Sequence, residues 1–541
     1  MKTPISKNKL LYPLAFSLVA GLFFLLGYSL KQAPARGGQN SQNEFSGGAK
    51  LDEVIRYISQ NYVDSVNATA LTESAIASLL QNLDPHSDYL SASDFDENTE
   101  AMQGNFEGIG VEFNMLNDTL YVLHVIEGGP SEKAGIVAGD RIIKVNGKSI
   151  AGVSIQNDEV IKLLKGPGGT TVNVTLYKTK TKAQENISIV RGTIPITSIE
   201  SAFLTDEKIG YIKIARFAST TVDEFLVQGK KLRNQGMTKL IIDLRDNPGG
   251  LLNAAVALCD EFLTQNQLIV FTKGQNQPEE KFFASDKGNY EQIPLVVLID
   301  EGSASASEIF AGAIQDHDRG SIVGRRSFGK GLVQAQTPLN DGSAIRLTIA
   351  RYYTPSGRCI QKPYELGKAE DYHNEEWTRY QNGELFNQDS IKSNLDTTYN
   401  TDAGRKVYGG GGITPDFFIP LDTTQYNALW SSLLSSEAFD DFCLLYHEQN
   451  TSLFSGFNNE KKFFKHFLLP ANCLQQLHSY TLQKGKKYRY SEFLEAEKLL
   501  KDEVKIQLAR IHFGRAAYFV GRAIEDPAFH KAVKLLTSTN K

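Results

Sequence analysis

The stretch that decides the fold is PLVVLIDEGSASASEIFAGAIQD, residues 294–316. An unbroken apolar run, PLVVLI, reads as a strand buried on both faces, as in a parallel sheet covered by helices. The apolar positions of IFAGAIQD then switch to helical spacing. Between them lie small residues, Gly302, Ser303, Ala304, Ser305 and Ala306, which let backbone approach closely at a strand-to-helix junction. The N-terminus of a helix offers unpaired N–H groups and positive dipole to an oxyanion. A serine there is well placed as a nucleophile, although Ser303, Ser305 or Ser307 would serve equally as a plain helix cap.

Working outward, strands at GYIKIARF, KLIIDLRD, LIVFTK, PLVVLID and AIRLTIARYY alternate with helical stretches near 221–236, 251–265 and 305–317. That alternation predicts an α/β domain around a central sheet. Residues 105–190 instead hold short β-branched runs separated by GGP, NG and GPGG turns, which predicts a β-rich module with a helix at 157–164. Apolar spacing over 51–83 predicts two amphipathic helices, and 421–541 reads as helical. The clusters KKFFKHF and KGKKYRY there read as solvated helix faces. Residues 362–408 are polar and read as a surface excursion.

With 541 residues the chain is too long for one compact domain. A formal net charge of −5 supplies no cationic field for nucleic acid. Four scattered cysteines form no CxxC pair, so neither a disulfide scaffold nor structural zinc is expected, and no metal or organic cofactor is implied. Lys2, Lys7 and Lys9 precede a charge-free run over 10–30, long enough to span a bilayer, and residues 36–48 read as a flexible tether. Basic residues before the span place the tail 1–9 in the cytoplasm and the bulk of the chain outside, in a periplasmic or equivalent space, held by a single-pass anchor in the inner membrane. The alternative is a cleaved signal peptide ending at the weak A-x-A site of Ala33 to Ala35, which would release a soluble periplasmic protein.

A base for the serine is the next question. Asp316 and His317 lie 11 and 12 positions beyond Ser305. In a continuous helix that is roughly 16–18 Å, too far for a hydrogen bond. Lys330, in SFGKG, remains, and burial among Phe328, Leu332 and Val333 would lower its pKa toward a working base. The alternatives for GKG are a phosphate contact or an exposed turn, and no GxxxxGK[ST] pattern supports the former. Gln334 shares a face with Lys330, but four strand residues span about 13 Å, so contact is expected only through a helical turn. Asp246-Asn247-Pro248-Gly249-Gly250 ends another strand and is placed to supply an oxyanion N–H, or is a bare turn.

Taken together, LDPHSDYL at 83–90, LIIDLRDNPGGLL, GSASASEIFAGAIQD, VGRRSFGKGLVQ, LTIARYYTPSGRCIQ and GGITPD resemble the carboxyl-terminal processing peptidases, also called tail-specific proteases, over about 50–420. The resemblance implies a crotonase-like α/β protease core with helical N- and C-terminal regions and a Ser-Lys dyad. Its nucleophile falls on Ser305, its base on Lys330, its lysine-orienting residue on Gln334, and its oxyanion donors on the amides of Ala306 and of Gly249 or Gly250. Asp316 also matches a position implicated in some members, whereas its distance from Ser305 along the helix points to a structural role. It also identifies the β-rich module, with Gly108-Ile109-Gly110-Val111 and GGPSEKAGIVAGDRIIKVNG at 128–147, as similar to a PDZ domain inserted before the core. A GIG loop directs backbone N–H groups at a peptide's terminal carboxylate while a strand pairs alongside. Lys165 stands where relatives often carry a substrate-sensing arginine, whose bidentate fork a lysine lacks.

The resulting organisation is a tail at 1–9, a span at 10–30, a linker at 31–50, a helical region at 51–103, a PDZ domain at 104–192, a protease core at 193–420 and helices over 421–541. The function expected is a serine endopeptidase acting on polypeptides with free C-termini, with homo-oligomer formation left open. Rival readings are a silent PDZ scaffold, which shows no proteolysis, and a crotonase-like acyl transferase, whose thioester substrates suit an outward-facing chain poorly.

Overall fold

A computed structural model describes residues 46–179, 181–391, 398–423 and 428–538. The chain divides into compact units at 1–76 and 77–541. The span read at 10–30 lies outside the described residues, among which no helix is long and apolar enough to cross a membrane. The two helices expected over 51–83 run Ser46–Asn61 and Ala68–Gln81. The linker expected up to residue 50 is therefore already helical from Ser46 onward.

In the second unit, the region expected over 193–420 is built on a six-stranded sheet in the order Ile199–Leu204, Ile209–Ile214, Lys239–Asp243, Leu295–Ile299, Ser321–Gly324, Phe417–Phe418. The first pair is antiparallel and the others are parallel. Every residue of Leu295–Ile299 is buried, as its unbroken apolar run requires of a strand covered on both faces. On one face, Phe225, Leu258 and Phe310 from the helices Thr221–Asn234, Leu252–Asp260 and Ala306–Asp316, with Phe262 just beyond the second, pack against Ile212, Ile242 and Val297. On the other, Val520, Phe529 and Ala532 of the C-terminal helices Arg515–Ile524 and Pro527–Ser538 cover Tyr211, Ile241, Val296 and Leu298. A second, antiparallel sheet carries Ala344–Tyr353 against Asp88–Leu90, Leu268–Lys273 and Leu332–Pro338.

The β-rich module has a core of its own, and its strand Thr171–Lys178 alternates inward Val172, Val174 and Leu176 with more exposed residues. Its helix is Asn157–Leu164, and its strand Val111–Met115 lies at the edge of the sheet. Most of the helices after Ala428 pack around a separate aromatic core that includes Trp430, Phe439, Phe454, Phe463 and Phe493.

Most of the described residues of 362–408 are exposed, as a surface excursion requires, but the segment also sends buried anchors inward. Lys362, Tyr372, Arg379 and Glu384 are buried. Their charges are closed among themselves and onto the core, through Arg326–Glu384 at 2.6 Å, Arg379–Glu384 at 2.9 Å and Lys362–Glu375 at 3.0 Å. Polar composition signals solvation only when charges stay single, and paired charges bury. Arg379 also donates to the carbonyls of Arg326 and Ser327, at 2.6 and 3.2 Å. Replacing Arg379 by Ala leaves Glu384 to Arg326 alone and takes the donors from both carbonyls, and is expected to cost about 1–3 kcal/mol. A clear drop in the thermal midpoint relative to an exposed control such as Arg489→Ala, followed by circular dichroism, is the outcome that checks it.

Candidate active site

The helix Ala306–Asp316 begins where the strand Leu295–Ile299 ends, so the parallel strand delivers Ser305 to the carboxyl edge of the sheet, where open α/β folds place their sites. Ser305 has φ 55° and ψ −112°, a conformation that costs a non-glycine residue about 1–3 kcal/mol and persists only when the surroundings hold it. Its neighbours do so with caps of their own. Ser303 Oγ donates to the Leu244 carbonyl at 2.8 Å, and Ser307 Oγ to the Asn247 carbonyl at 2.9 Å. Ser303 and Ser307 are thereby structural, and Ser305, half-buried, is the serine of the three that lines the cleft.

Glu308, one turn into the helix, is completely buried. Its carboxylate accepts from the Ser305 N–H at 2.8 Å, the Gly329 N–H at 2.7 Å, the Lys330 N–H at 2.8 Å and the Ser327 hydroxyl. Burial pushes its pKa up to about 7, against the pull of those hydrogen bonds. Tyr352 adds a second tie, its hydroxyl lying between the carbonyls of Ser305, at 3.0 Å, and Lys330. The backbones of the two chemistry-bearing residues are thus held by shared groups.

Lys330 Nζ donates to Gln334 Oε1 at 3.0 Å. The expectation that this contact needs a helical turn is overturned. Gln334 sits in the strand Leu332–Pro338, whose register shifts between Val333 and Gln334, and two long side chains close the gap. Gln334 Nε2 donates to the His86 carbonyl at 3.1 Å, which leaves Oε1 turned to the lysine. The His86 carbonyl is held in place because Asp84 gathers the N–H groups of His86 and Ser87, both at 2.9 Å. The His86 ring is fixed by Tyr372 Oη at 2.8 Å. Desolvation, then the Arg346 cation, lowers the Lys330 pKa to about 8. Desolvation, then Lys330, lowers that of His86 to about 3, so the imidazole is neutral.

The turn Asp246–Gly250 lies against Ser305. A Cβ on Gly249, whose φ is +98°, would come within 2.7 Å of the Ala304 carbonyl and 2.8 Å of the Ala306 nitrogen. One on Gly250 would meet the Phe217 carbonyl at 2.1 Å. Only glycine fits either place. The Gly249 N–H donates to Asn247 Oδ1 at 2.8 Å, whereas those of Gly250 and Ala306 have no acceptor among the described residues. Behind the turn, Arg245 bridges Asp243 and Asp526, each at 2.6 Å, and so ties the C-terminal helices to the base of the glycine loop. Ser305, Ala306, Gly249, Gly250, Lys330 and Gln334 all line one cleft of about 1570 Å³.

Other sequence candidates lie elsewhere. Asp316 is buried and paired with Arg358 at 2.7 Å, a structural role. His317 ends its helix, bonded to Asp402 and to the Leu268 carbonyl, both at 2.7 Å. In the β-rich module Gly108 ends a strand, the Ile109 side chain enters the core, and Gly110 has φ +76°. Lys165 pairs with Glu100 at 2.6 Å and lies 4.8 Å over the Phe106 ring. Glu308, Tyr352, Asp84 and Arg346 escaped sequence reading. Only Glu308 carried a local signal, the S-x-x-E spacing from Ser305.

A cleft of this kind on an α/β core, joined to a PDZ-like module, defines a PDZ-bearing serine peptidase. Residues 208–373 match the model of peptidase family S41, and 121–178 match that of the PDZ domain. Residues 429–514 match a family of unknown function. The carboxy-terminal-processing protease of Bartonella bacilliformis is 37% identical over 348 residues, 63% of this chain and 79% of its own. The carboxy-terminal processing protease CtpB of Bacillus subtilis is 34% identical over 319 residues, 58% and 65% of the two chains. The solved photosystem II D1 C-terminal processing protease is 26% identical, covering 73% of this chain and 98% of its own, with a TM-score of 0.34. The chain belongs to the carboxy-terminal-processing proteases of peptidase family S41.

Replacing Glu308 by Ala deprives four donors of their acceptor and is expected to cost about 3–5 kcal/mol together with nearly all activity. Glu308→Gln keeps the volume but turns donors toward donors, so activity falls more than the thermal midpoint. Peptidase rates beside calorimetry check both, and a fully active Glu308→Ala form would refute the assignment.

Proposed function

We propose that this protease cuts polypeptides through a Ser305–Lys330 dyad and captures their C-termini on its PDZ domain. The observation that carries the dyad is the Lys330 amine, held by Gln334 at 3.0 Å in the cleft of Ser305 with its pKa lowered to about 8. A neutral amine that donates one N–H to Gln334 Oε1 keeps its lone pair for another direction. It takes the Ser305 proton as the hydroxyl oxygen attacks the scissile carbonyl. The Ala306 and Gly250 amides, without acceptors in the free enzyme, stabilise the oxyanion as it forms. The lysine then protonates the leaving amine, the acyl-enzyme forms, and the same amine activates water to hydrolyse it.

Terminal recognition is supported by the edge position of Val111–Met115, to which an extended peptide adds as a strand beside the Gly108–Gly110 loop. Lys165, engaged by Glu100, is a point charge near that loop. The placement of the enzyme outside the inner membrane rests on the sequence pattern of residues 2–31 alone.

Mass spectrometry of an unfolded protein incubated with the chain is expected to show cleavage that Ser305→Ala and Lys330→Ala each abolish. Persistent cutting by Ser305→Ala sinks the dyad. Because Lys330 acts only when deprotonated, kcat/KM is expected to rise with pH through about 8. Arg346→Gln removes a cation that lowers this pKa, so the rise moves to higher pH. A pH profile with a quenched peptide reads both.

A further inference from the structure

The cleft is lined by many basic side chains and nearly as many acidic ones, and most of its cations are answered by carboxylates. Lys213 faces Asp243 at 3.5 Å, Arg245 holds Asp243 and Asp526, and Arg325 grips Glu301 at 2.7 Å. Arg515 pairs with Glu200, and Arg522 with Glu503 at 2.8 Å. Arg216 is different. It lines the same cleft as Ser305, yet its guanidinium has no hydrogen bond and no carboxylate partner among the described residues. Its Nε is buried without an acceptor. A buried donor left single is rare in folded proteins and calls for an explanation.

The location of Arg216 supplies one. The next residue, Phe217, donates its N–H to the Gly249 carbonyl at 2.8 Å and accepts from the Leu251 N–H at 2.7 Å. Arg216 is therefore fastened by its backbone to the glycine turn, on the oxyanion side of the cleft. A guanidinium is a planar fork that matches a carboxylate through two parallel hydrogen bonds. Partly withdrawn from water and held beside the scissile position, it has the chemistry of a specificity pocket waiting for an anion.

We infer that Arg216 binds a carboxylate of the polypeptide substrate in the cleft, so that the enzyme selects acidic segments or chain ends at the point of cleavage. This rests on the peptidase reading of Ser305 and adds a subsite separate from the PDZ loop. Two sources share the chemistry, an Asp or Glu side chain near the scissile bond and the terminal carboxylate of a short tail.

The experiment maps the cuts made by the full chain in reduced, alkylated α-lactalbumin and remakes the most-cut site as a peptide in four forms. These carry Glu or Gln beside the scissile bond, each with a free or an amidated C-terminus. The forms with the relevant carboxylate are expected to show roughly tenfold higher kcat/KM, the scale of one charge-assisted hydrogen bond. The arm in which the preference appears names the source. Arg216→Gln, checked for a native thermal midpoint, is expected to bring the ratio close to one. Arg216→Lys keeps part of it, and Arg216→Glu reverses it toward a Lys-bearing peptide. A terminal preference that survives Arg216→Gln belongs to the PDZ loop and overturns the inference, as do equal rates for all four peptides in the unaltered enzyme. If nothing is cut, the peptidase reading fails on its own, and a peptide from an acidic segment of α-lactalbumin, made in the same four forms, is titrated onto the Ser305→Ala chain by fluorescence anisotropy. An Arg216-dependent preference for the carboxylate then supports the subsite, and equal binding overturns it.

Discussion

A single buried carboxylate holds the catalytic geometry together. Glu308 collects donors from the backbone of Ser305, from the lysine loop and from Ser327. Ser327 Oγ in turn accepts from the Ile413 N–H at 2.6 Å. Two loops that follow different strands of the sheet are thereby drawn to one point. The strained backbone of Ser305 is tolerable because Glu308 fixes its N–H and Tyr352 its carbonyl. Remove that point and the turns of Ser305 and Lys330 are left with the Tyr352 hydroxyl and the Phe328 N–H to the Ser303 carbonyl as their ties.

Around it, charge is managed by pairing. Lys330 is kept low in pKa by withdrawal from water and by Arg346, while Gln334, a neutral acceptor, orients it without the pull a carboxylate would exert. The buried salt-bridge set of residues 362–384 sits directly behind this arrangement. Lys362 lies 4.0 Å over Phe328 and 4.2 Å over Tyr372, and Tyr372 fixes the His86 ring. The C-terminal helices contribute similarly through Asp526, which closes the Arg245 site beneath the glycine turn. A segment that seemed an appendage and a tail without a motif are thus part of the wall and support of the cleft.

Much of this was legible locally. LIVFTK and AIRLTIARYY are strands at their expected bounds, and the helix at 157–164 is likewise where its spacing puts it. Strong periodicity and sharp turn residues leave few alternatives for such segments. The buried anchors Lys362, Arg379 and Glu384 were hidden within a mostly exposed segment, because a polar sequence does not state which charges it will meet. The Lys330–Gln334 contact misled because backbone rise was counted without the reach of two long side chains or the irregularity at Val333. Asp84 and Tyr352 lie within the resembling motifs LDPHSDYL and LTIARYYTPSGRCIQ, but their roles could not be read, since the carbonyl that Asp84 steadies meets Gln334, and the Tyr352 hydroxyl meets Ser305 and Lys330, only in the folded chain.

The sequence by itself determined the alternation of strand and helix, the small-residue junction at Ser305, the glycines at 249 and 250, and the resemblance that singled out Lys330 and Gln334. These depend on neighbours a few residues apart, where covalent geometry and hydrophobic period decide the outcome. Tertiary structure alone decided that Glu308 joins the two loops, that His86 orients Gln334 and that Asp526 reaches Arg245. It alone left Arg216 unpaired in a cleft whose other arginines mostly meet carboxylates. Electrostatic partners are chosen by distance in space, and burial sets how strongly they act, so neither can be read until the chain has closed on itself.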